Sequence, residues 1–197
     1  RRRHTRFKCD WSSDVCSSDL VKIAIVVQRY GADINGGAEL HARYIAERLA
    51  RHATVEVFTT CAKDYITWKN ELPAGESKVN GVTVRRFPVA APRDPQDFGA
   101  RSATVFGTTH SVADELGWLD SEGPKSKALI AHIGRVADDF DFFVFFSARY
   151  FHAYYGWRAV ASKAVLVPTA EREPSVGVSL LGDLFRGVRA KIGRAHF

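Results

Sequence analysis

Apolar residues recur along the chain with two periods, one of strands and one of helices. Residues 21–27 (VKIAIVV) are a nearly continuous β-branched run, the pattern of a strand buried on both faces of a parallel sheet. After QRYGADINGG, the stretch AELHARYIAERLAR sets Ala38, Ala42, Ile45 and Leu49 at helical spacing, with Glu39, Arg43 and Glu47 on the opposite face. Residues 54–60 (TVEVFTT) predict a second strand, so the chain opens with the β-loop-α-β crossover that parallel strands require.

Residues 61–80 make a long polar connection around Trp68. It exceeds the ~12 to 15 residues that structureless loops usually reach, which points to a binding excursion or to a short element without a periodic signal. Asn80-Gly81 predicts a turn and residues 82–89 (VTVRRFPV) a third strand, which Pro88 moves towards a sheet edge. Helical patterns follow over 102–119 and 125–140, with Pro124 read as the first turn of the second. Residues 142–146 (FFVFF) and 164–167 (AVLV) are strands, 148–161 a helix, and 180–190 the start of a last helix. This alternation, without internal repeats, predicts an α/β class: a Rossmann-like, doubly wound, mostly parallel sheet in a single domain.

Composition adds limits. A chain with 46% hydrophobic and 25% charged residues has the makings of an ordinary core rather than of a disordered segment. Its longest apolar runs fall far below the ~18 residues of a membrane span. There is no methionine, and the chain begins Arg1-Arg2-Arg3, so it reads as a fragment. Residues 1–20 lack both apolar periodicity and the apolar segment of a signal peptide; DVCSSDL and the closing KIGRAHF resemble translated sequencing adapters. Residues 1–20 and 191–197 are therefore expected to be non-native, and 21–190 a truncated domain.

Setting those ends aside lowers the net charge from +6 to +2, so nothing in the charge demands nucleic acid as a partner. It also leaves Cys61 as the one cysteine, which excludes a disulfide framework and makes the cytoplasm the expected compartment.

In open α/β sheets ligands bind at the carboxyl ends of strands, which selects residues 28–37, 147–152 and 168–173. Asn35-Gly36-Gly37 stands just before the first helix, where free N–H groups and the helix dipole favour an anion; equally, the glycines need only make a tight turn. Gly31 and Gly36 have the interval of a phosphate-binding Walker loop, but Gly37-Ala38 replaces its Lys-Ser/Thr. Arg149, Tyr150 and His152 bring a cation, a hydroxyl and an imidazole to the end of FFVFF; His152 is a proton-transfer candidate or a packed core histidine. Thr169 and Glu171 end the AVLV strand, as ligand contacts or as a surface turn. His41, His52, His110 and His132 lack metal-site spacing, and no serine-nucleophile elbow occurs; no metal is expected.

Taken together, INGGAELHAR after the first strand, NGVTVRRFPV, FFSARYFHAYYG and AVLVPTAEREP resemble the N-terminal half of bacterial retaining glycosyltransferases of family 4, over essentially all of 21–190. The resemblance implies a GT-B architecture of two Rossmann-like domains across a cleft, of which this chain is the acceptor side. It implies sugar transfer from a nucleotide-sugar with retention, without metal or other cofactor, to a carbohydrate or lipid-linked acceptor; whether the chain also touches the inner face of a membrane is left open by the sequence. Gly36 and Gly37 would face the donor diphosphate, and Arg149, His152, Thr169 and Glu171 would line the acceptor side, with His152 and Glu171 as candidate catalytic groups and Asn35 and Tyr150 as further contacts. Many relatives place a histidine after the threonine, where Ala170-Glu171 stands here. Glu39 and Glu47 match the family's E-x7-E spacing, but that motif belongs to the donor domain, and i,i+4 pairing through Arg43 on the polar helix face accounts for them. Lacking the donor domain, the chain alone is expected to be inactive. The competing readings are a stand-alone nucleotide- or phosphate-binding module and a non-catalytic interaction domain.

Overall fold

The β-branched and aromatic runs form the centre of a mostly parallel sheet in the computed structural model, which describes residues 20–170 and 173–193. Among these residues the strands are β1 (Lys22–Val26), β2 (Thr54–Thr60), β3 (Gly75–Val79), β4 (Val82–Phe87), β5 (Phe142–Phe146), β6 (Ala164–Val167) and β7 (Ala190–Lys191). They lie in the order β3-β4-β2-β1-β5-β6-β7, and every neighbouring pair is parallel except β3–β4. The helices are α1 (Gly37–Leu49), α2 (Pro95–Gly107), α3 (Val112–Glu122), α4 (Lys127–Arg135), α5 (Phe151–Gly156) and α6 (Ser179–Gly187), with 3-10 turns at Trp157–Lys163 and Pro174–Gly177.

Strand side chains alternate between two apolar layers, which is why the central runs contain so few polar residues. Ala24, Val26, Phe58, Phe143 and Phe145 pack with Trp118, Leu119, Leu129, Ile133 and Leu184 of α3, α4 and α6. Ile25, Val27, Val57, Val84 and Phe146 form the other layer with Ala42 and Ala46 of α1. The class is α/β, a Rossmann-like doubly wound sheet. From β1 the chain moves outward through β2 to β4, then returns through α2, α3 and α4 to place β5 on the other side of β1. That reversal opens a crevice at the carboxyl ends of β1 and β5.

Several expectations need correction. The connection 61–80 contains β3, which pairs antiparallel with β4 through a tight turn at Asn80 (φ 48°) and Gly81 (φ 83°). Positive φ at both central residues matches the twist of a two-residue hairpin. β4 is consequently internal, flanked by β2 and β3; Pro88 lies just past its end, where no ladder bond is lost. Three helices occupy the region read as two, because Asp94, Ser111 and Ser126 each cap a new start with side-chain oxygens. Pro124 precedes the Ser126 cap instead of opening the helix, and α6 stops at Gly187, leaving Ala190–Lys191 to pair beside β6. The terminal stretches read as non-native fall mostly outside the described residues.

The last helix has no cap of its own at Val178 and borrows one from α3. Glu115, buried, accepts the Ser179 N–H at 3.0 Å on Oε1, and the Ser179 hydroxyl at 2.6 Å and Leu180 N–H at 3.0 Å on Oε2. Nε2 of His110 lies 3.1 Å from the same Oε1. Burial acts to raise this carboxyl, but the bonds from Ser179, Leu180 and His110 outweigh it and hold it below the usual carboxylate range. A depressed carboxylate stabilises the fold above its ordinary titration range and ceases to as pH falls through its folded value. Glu115→Ala is expected to lower the unfolding free energy by about 2–3 kcal/mol in urea melts at neutral pH. The difference from wild type should shrink as the pH is taken below that range.

Candidate functional site

The three loops that follow β1, β5 and β6 converge on one cleft of about 570 Å³. On one side stands the amino end of α1. Gly36 is its N-cap residue (φ −98°, ψ 154°) with no side-chain cap; its carbonyl accepts the Leu40 N–H at 2.8 Å. The N–H groups of Gly37, Ala38 and Glu39 have no intrahelical acceptor, as at any uncapped helix start, and Gly37, Ala38 and Glu39 line the cleft.

Beneath that helix end, buried Arg29 and Glu39 form an ion pair, with Nε and Nη2 of Arg29 at 2.8 and 2.6 Å from Glu39 Oε1. Nη1 of Arg29 donates to the Lys63 carbonyl at 2.8 Å, tying the loop after β2 to the cleft. This pair explains the first glycine, since a Cβ on Gly36 would lie 2.0 Å from Glu39 Oε2 and 3.0 Å from Arg29 Nη2. A Cβ on Gly37 meets nothing within 4 Å and would project into open space. Glu39 is thus not on the polar face of α1 as the spacing implied; of the two glutamates only Glu47 pairs with Arg43, at 4.0 Å.

On the other side, Ser147 and Thr169 end β5 and β6 in the left-handed region, at φ 64° and 46°. Neither is glycine, and a β-branched threonine pays for that conformation, by about 1–2 kcal/mol. Ser147 N–H donates to the Val167 carbonyl at 3.0 Å and Ala148 N–H to the Pro168 carbonyl at 3.1 Å, while the Thr169 hydroxyl donates to the Ser147 hydroxyl at 2.9 Å. The turn is held so that two hydroxyls meet at the cleft.

Arg149 is anchored from behind. Its Nε and Nη2 lie 2.8 and 2.6 Å from Oε1 of Glu122, whose side chain is 2% exposed, and its Nη1 lies 2.5 Å from Oε2 of Glu173. Arg93 binds the second Glu122 oxygen at 2.8 Å, and the Trp68 indole N–H donates to the Glu122 carbonyl at 2.7 Å. Burial pushes the Glu122 carboxyl up, opposed by Arg149 and Arg93. Burial, reinforced by Glu122, likewise pushes the Tyr150 hydroxyl up to about 12, so it stays a protonated donor at neutral pH.

Of the residues selected from the sequence, Asn35, Gly36, Gly37, Arg149, Tyr150 and Thr169 line this cleft. Glu171 lies outside the described residues. His152 sits beneath the wall rather than in it: it is 0% exposed and its Nε2–H donates to the Phe146 carbonyl at 2.9 Å. Burial lowers its pKa to about 4, only partly offset by that bond, so the ring is a neutral packing group with no path to a ligand in the cleft. Arg29, Glu122 and Ser147 were not selected as site residues. Ser147 followed a strand and was within reach of sequence reasoning, whereas the pairings of Arg29 and Glu122 depend on contacts 10 and 27 residues away. Among the described residues no group of three or more His, Cys, Asp or Glu is placed to hold a metal ion, and no helix is long and apolar enough to cross a membrane. No protein-family model matches the chain, and neither does any curated protein.

Two outcomes test this geometry. Gly36→Ala should cost about 1–3 kcal/mol of stability, because its Cβ must push Glu39 off Arg29, while Gly37→Ala should stay within about 0.5 kcal/mol of wild type; paired chemical melts decide. For His152, the unfolded ring takes up its proton below about pH 6.5 and the folded ring only near pH 4, so stability falls as pH drops through that window. An NMR titration should find the His152 ring unprotonated at pH 6.

Proposed function

We propose that residues 21–190 form the acceptor-side half of a retaining glycosyltransferase built from two facing Rossmann-like domains. The observation that carries this reading is the uncapped amino end of α1, opening through Gly36 and Gly37 into a cleft at the strand reversal. A diphosphate leaving group needs what that helix end supplies: N–H donors, the positive end of a dipole, and a backbone unobstructed by a side chain. As the sugar departs, negative charge grows on the diphosphate, and fixed donors aimed at it lower the barrier.

The opposite wall suits a hydroxylated acceptor. Arg149 offers a cation, Tyr150 a protonated hydroxyl, and Thr169 and Ser147 a hydroxyl pair. No described side chain in the cleft forms a nucleophile–base pair, since the partner of Ser147 is Thr169 and His152 is buried and neutral. That absence of a triad among the described residues favours a reaction in which the acceptor oxygen bonds to the anomeric carbon as the carbon–phosphate-oxygen bond breaks, on the same face. The departing phosphate oxygen takes the acceptor's proton, and the protein positions the partners and steadies the charge. The nucleotide would be held by a second α/β domain.

Amide-resolved NMR of the chain, titrated with inorganic pyrophosphate and with UDP, tests this. The amides of Gly37, Ala38 and Glu39 should move with both ligands at similar, millimolar affinity, because on this reading the nucleobase is held by the second domain. UDP binding about tenfold tighter than pyrophosphate would favour a stand-alone nucleotide-binding module. If those amides stay still with both ligands, the reading fails.

A further inference from the structure

Arg149 presents its two edges to different environments. One edge, Nε and Nη2, is spent on Glu122, a carboxylate buried in the protein and shared with Arg93. The other, Nη1, meets Glu173, and here both partners reach solvent: the side chains of Arg149 and Glu173 are 32% and 28% exposed. Glu173 lines the cleft at the start of the Pro174–Gly177 turn. A partly exposed ion pair of this kind is held weakly and exchanges readily with a competing anion.

The charges around it do not balance without Glu173. Glu122 offsets one of its two arginines, so with Glu173 turned away the wall carries one uncompensated positive charge. Lys63, exposed on the same cleft, has no ion-pair partner among the described residues and is offset in the count by Asp33, so the net excess stays at one positive charge. Two polar atoms of the lining also lack any hydrogen-bond partner among the described residues: the Ser175 hydroxyl, two residues from Glu173, and Oε1 of Gln28, each in a residue 2% exposed. Buried polar atoms are nearly always satisfied, so a pair of orphans on one cleft marks places where a ligand or water completes the bonding. Gln28 Oε1 accepts only and calls for a hydroxyl; Ser175 can donate to an anionic oxygen.

From this we infer that Arg149 Nη1 is an oxyanion subsite for which the Glu173 carboxylate is an internal stand-in, and that the cleft takes an acidic, hydroxylated sugar: one bearing a phosphate or a carboxylate. The acid displaces Glu173 from Arg149 and draws on Lys63 and Ser175, while a ring hydroxyl donates to Gln28. The inference rests on the glycosyltransferase reading in taking this hydroxylated acid to be a sugar. The subsite itself is a matter of binding, reported by Arg149 and not by the amides of α1, so either can fail without the other.

The test is an NMR titration of the whole chain, following the Arg149 Nε–H signal, with glucose 6-phosphate, glucuronate and glucose. Glu173→Gln removes the competitor's charge at a partly exposed position and should keep the wild-type melting curve. It should tighten binding of at least one acid by about fivefold or more, by removing a competing closed state, and leave glucose unaffected. The acid that gains more identifies phosphate or carboxylate as the group read. Arg149→Gln strips Glu122 of a cation and risks unfolding, so the companion is Arg149→Lys, which keeps the charge but loses the fork; it should abolish the gain in the double variant. Equal affinity in wild type and Glu173→Gln, a gain that survives Arg149→Lys, or glucose binding as tightly as the acids would each overturn the inference.

Discussion

A carboxylate removed from water must be met by cations and N–H groups, or its burial costs more than most single contacts return. In this protein that carboxylate is Glu122, at the end of α3, and the groups that meet it come from segments with little regular structure. Arg93 brings in the loop after β4, and Arg149 the loop after β5. Trp68 brings in the loop after β2 by donating to the Glu122 carbonyl, where the Arg93 guanidinium also lands. The loops then reinforce one another: Arg93 N–H donates to the Thr67 carbonyl, and the Asn70 amide bonds both the N–H and the carbonyl of Val89. Arg93 also lies over the Trp68 and Phe98 rings, at 4.9 and 4.6 Å, so aromatic faces share the cation with the carboxylate. Three loops are thus tied to one helix end, two through the Glu122 carboxylate and one through its carbonyl.

The same logic builds the cleft. Each of the two arginines that line it among the described residues is held from behind by an acid that solvent scarcely reaches, Arg29 by Glu39 and Arg149 by Glu122. Their remaining Nη1 groups are taken up as well, by the Lys63 carbonyl and by Glu173, so both guanidinia keep their direction without further ordering when a ligand arrives. Buried acids therefore set the aim of the cations here and matter less as contributors to stability, a division of labour consistent with how little net energy buried pairs usually return.

Legibility from the sequence followed burial. β2, β5 and β6 are apolar runs with sharp polar flanks, and their observed bounds coincide with the expected ones. β3 (GESKV) was missed because an edge strand packs little, so nothing forces its letters to alternate. The helical region before β5 was blurred by apolar spacing that runs on across two caps; the serines and aspartate that divide it are common residues whose capping role shows only in the backbone bonds they make. The strand-end rule picked three loops that the structure brings together on one cleft, since topology alone decides where strands end. It misjudged His152, although Tyr150 and Arg149 line the cleft, because two steps along the chain at a helix start turn a side chain from the opening to the core. It also mispaired Glu39, because a helical wheel carries no information about Arg29 on the preceding strand's loop.

Ser147 and Thr169 set local comfort against use. Glycine at either position would accept the left-handed backbone without strain and, judged by folding alone, would be the better residue. What glycine cannot supply is a hydroxyl, and the two hydroxyls present are bonded to each other at the mouth of the cleft. A screen for thermal robustness alone would therefore drift towards glycine at these two places and erase the polar lip between β5 and β6, so stabilising this protein by selection would remove the hydroxyls from the cleft.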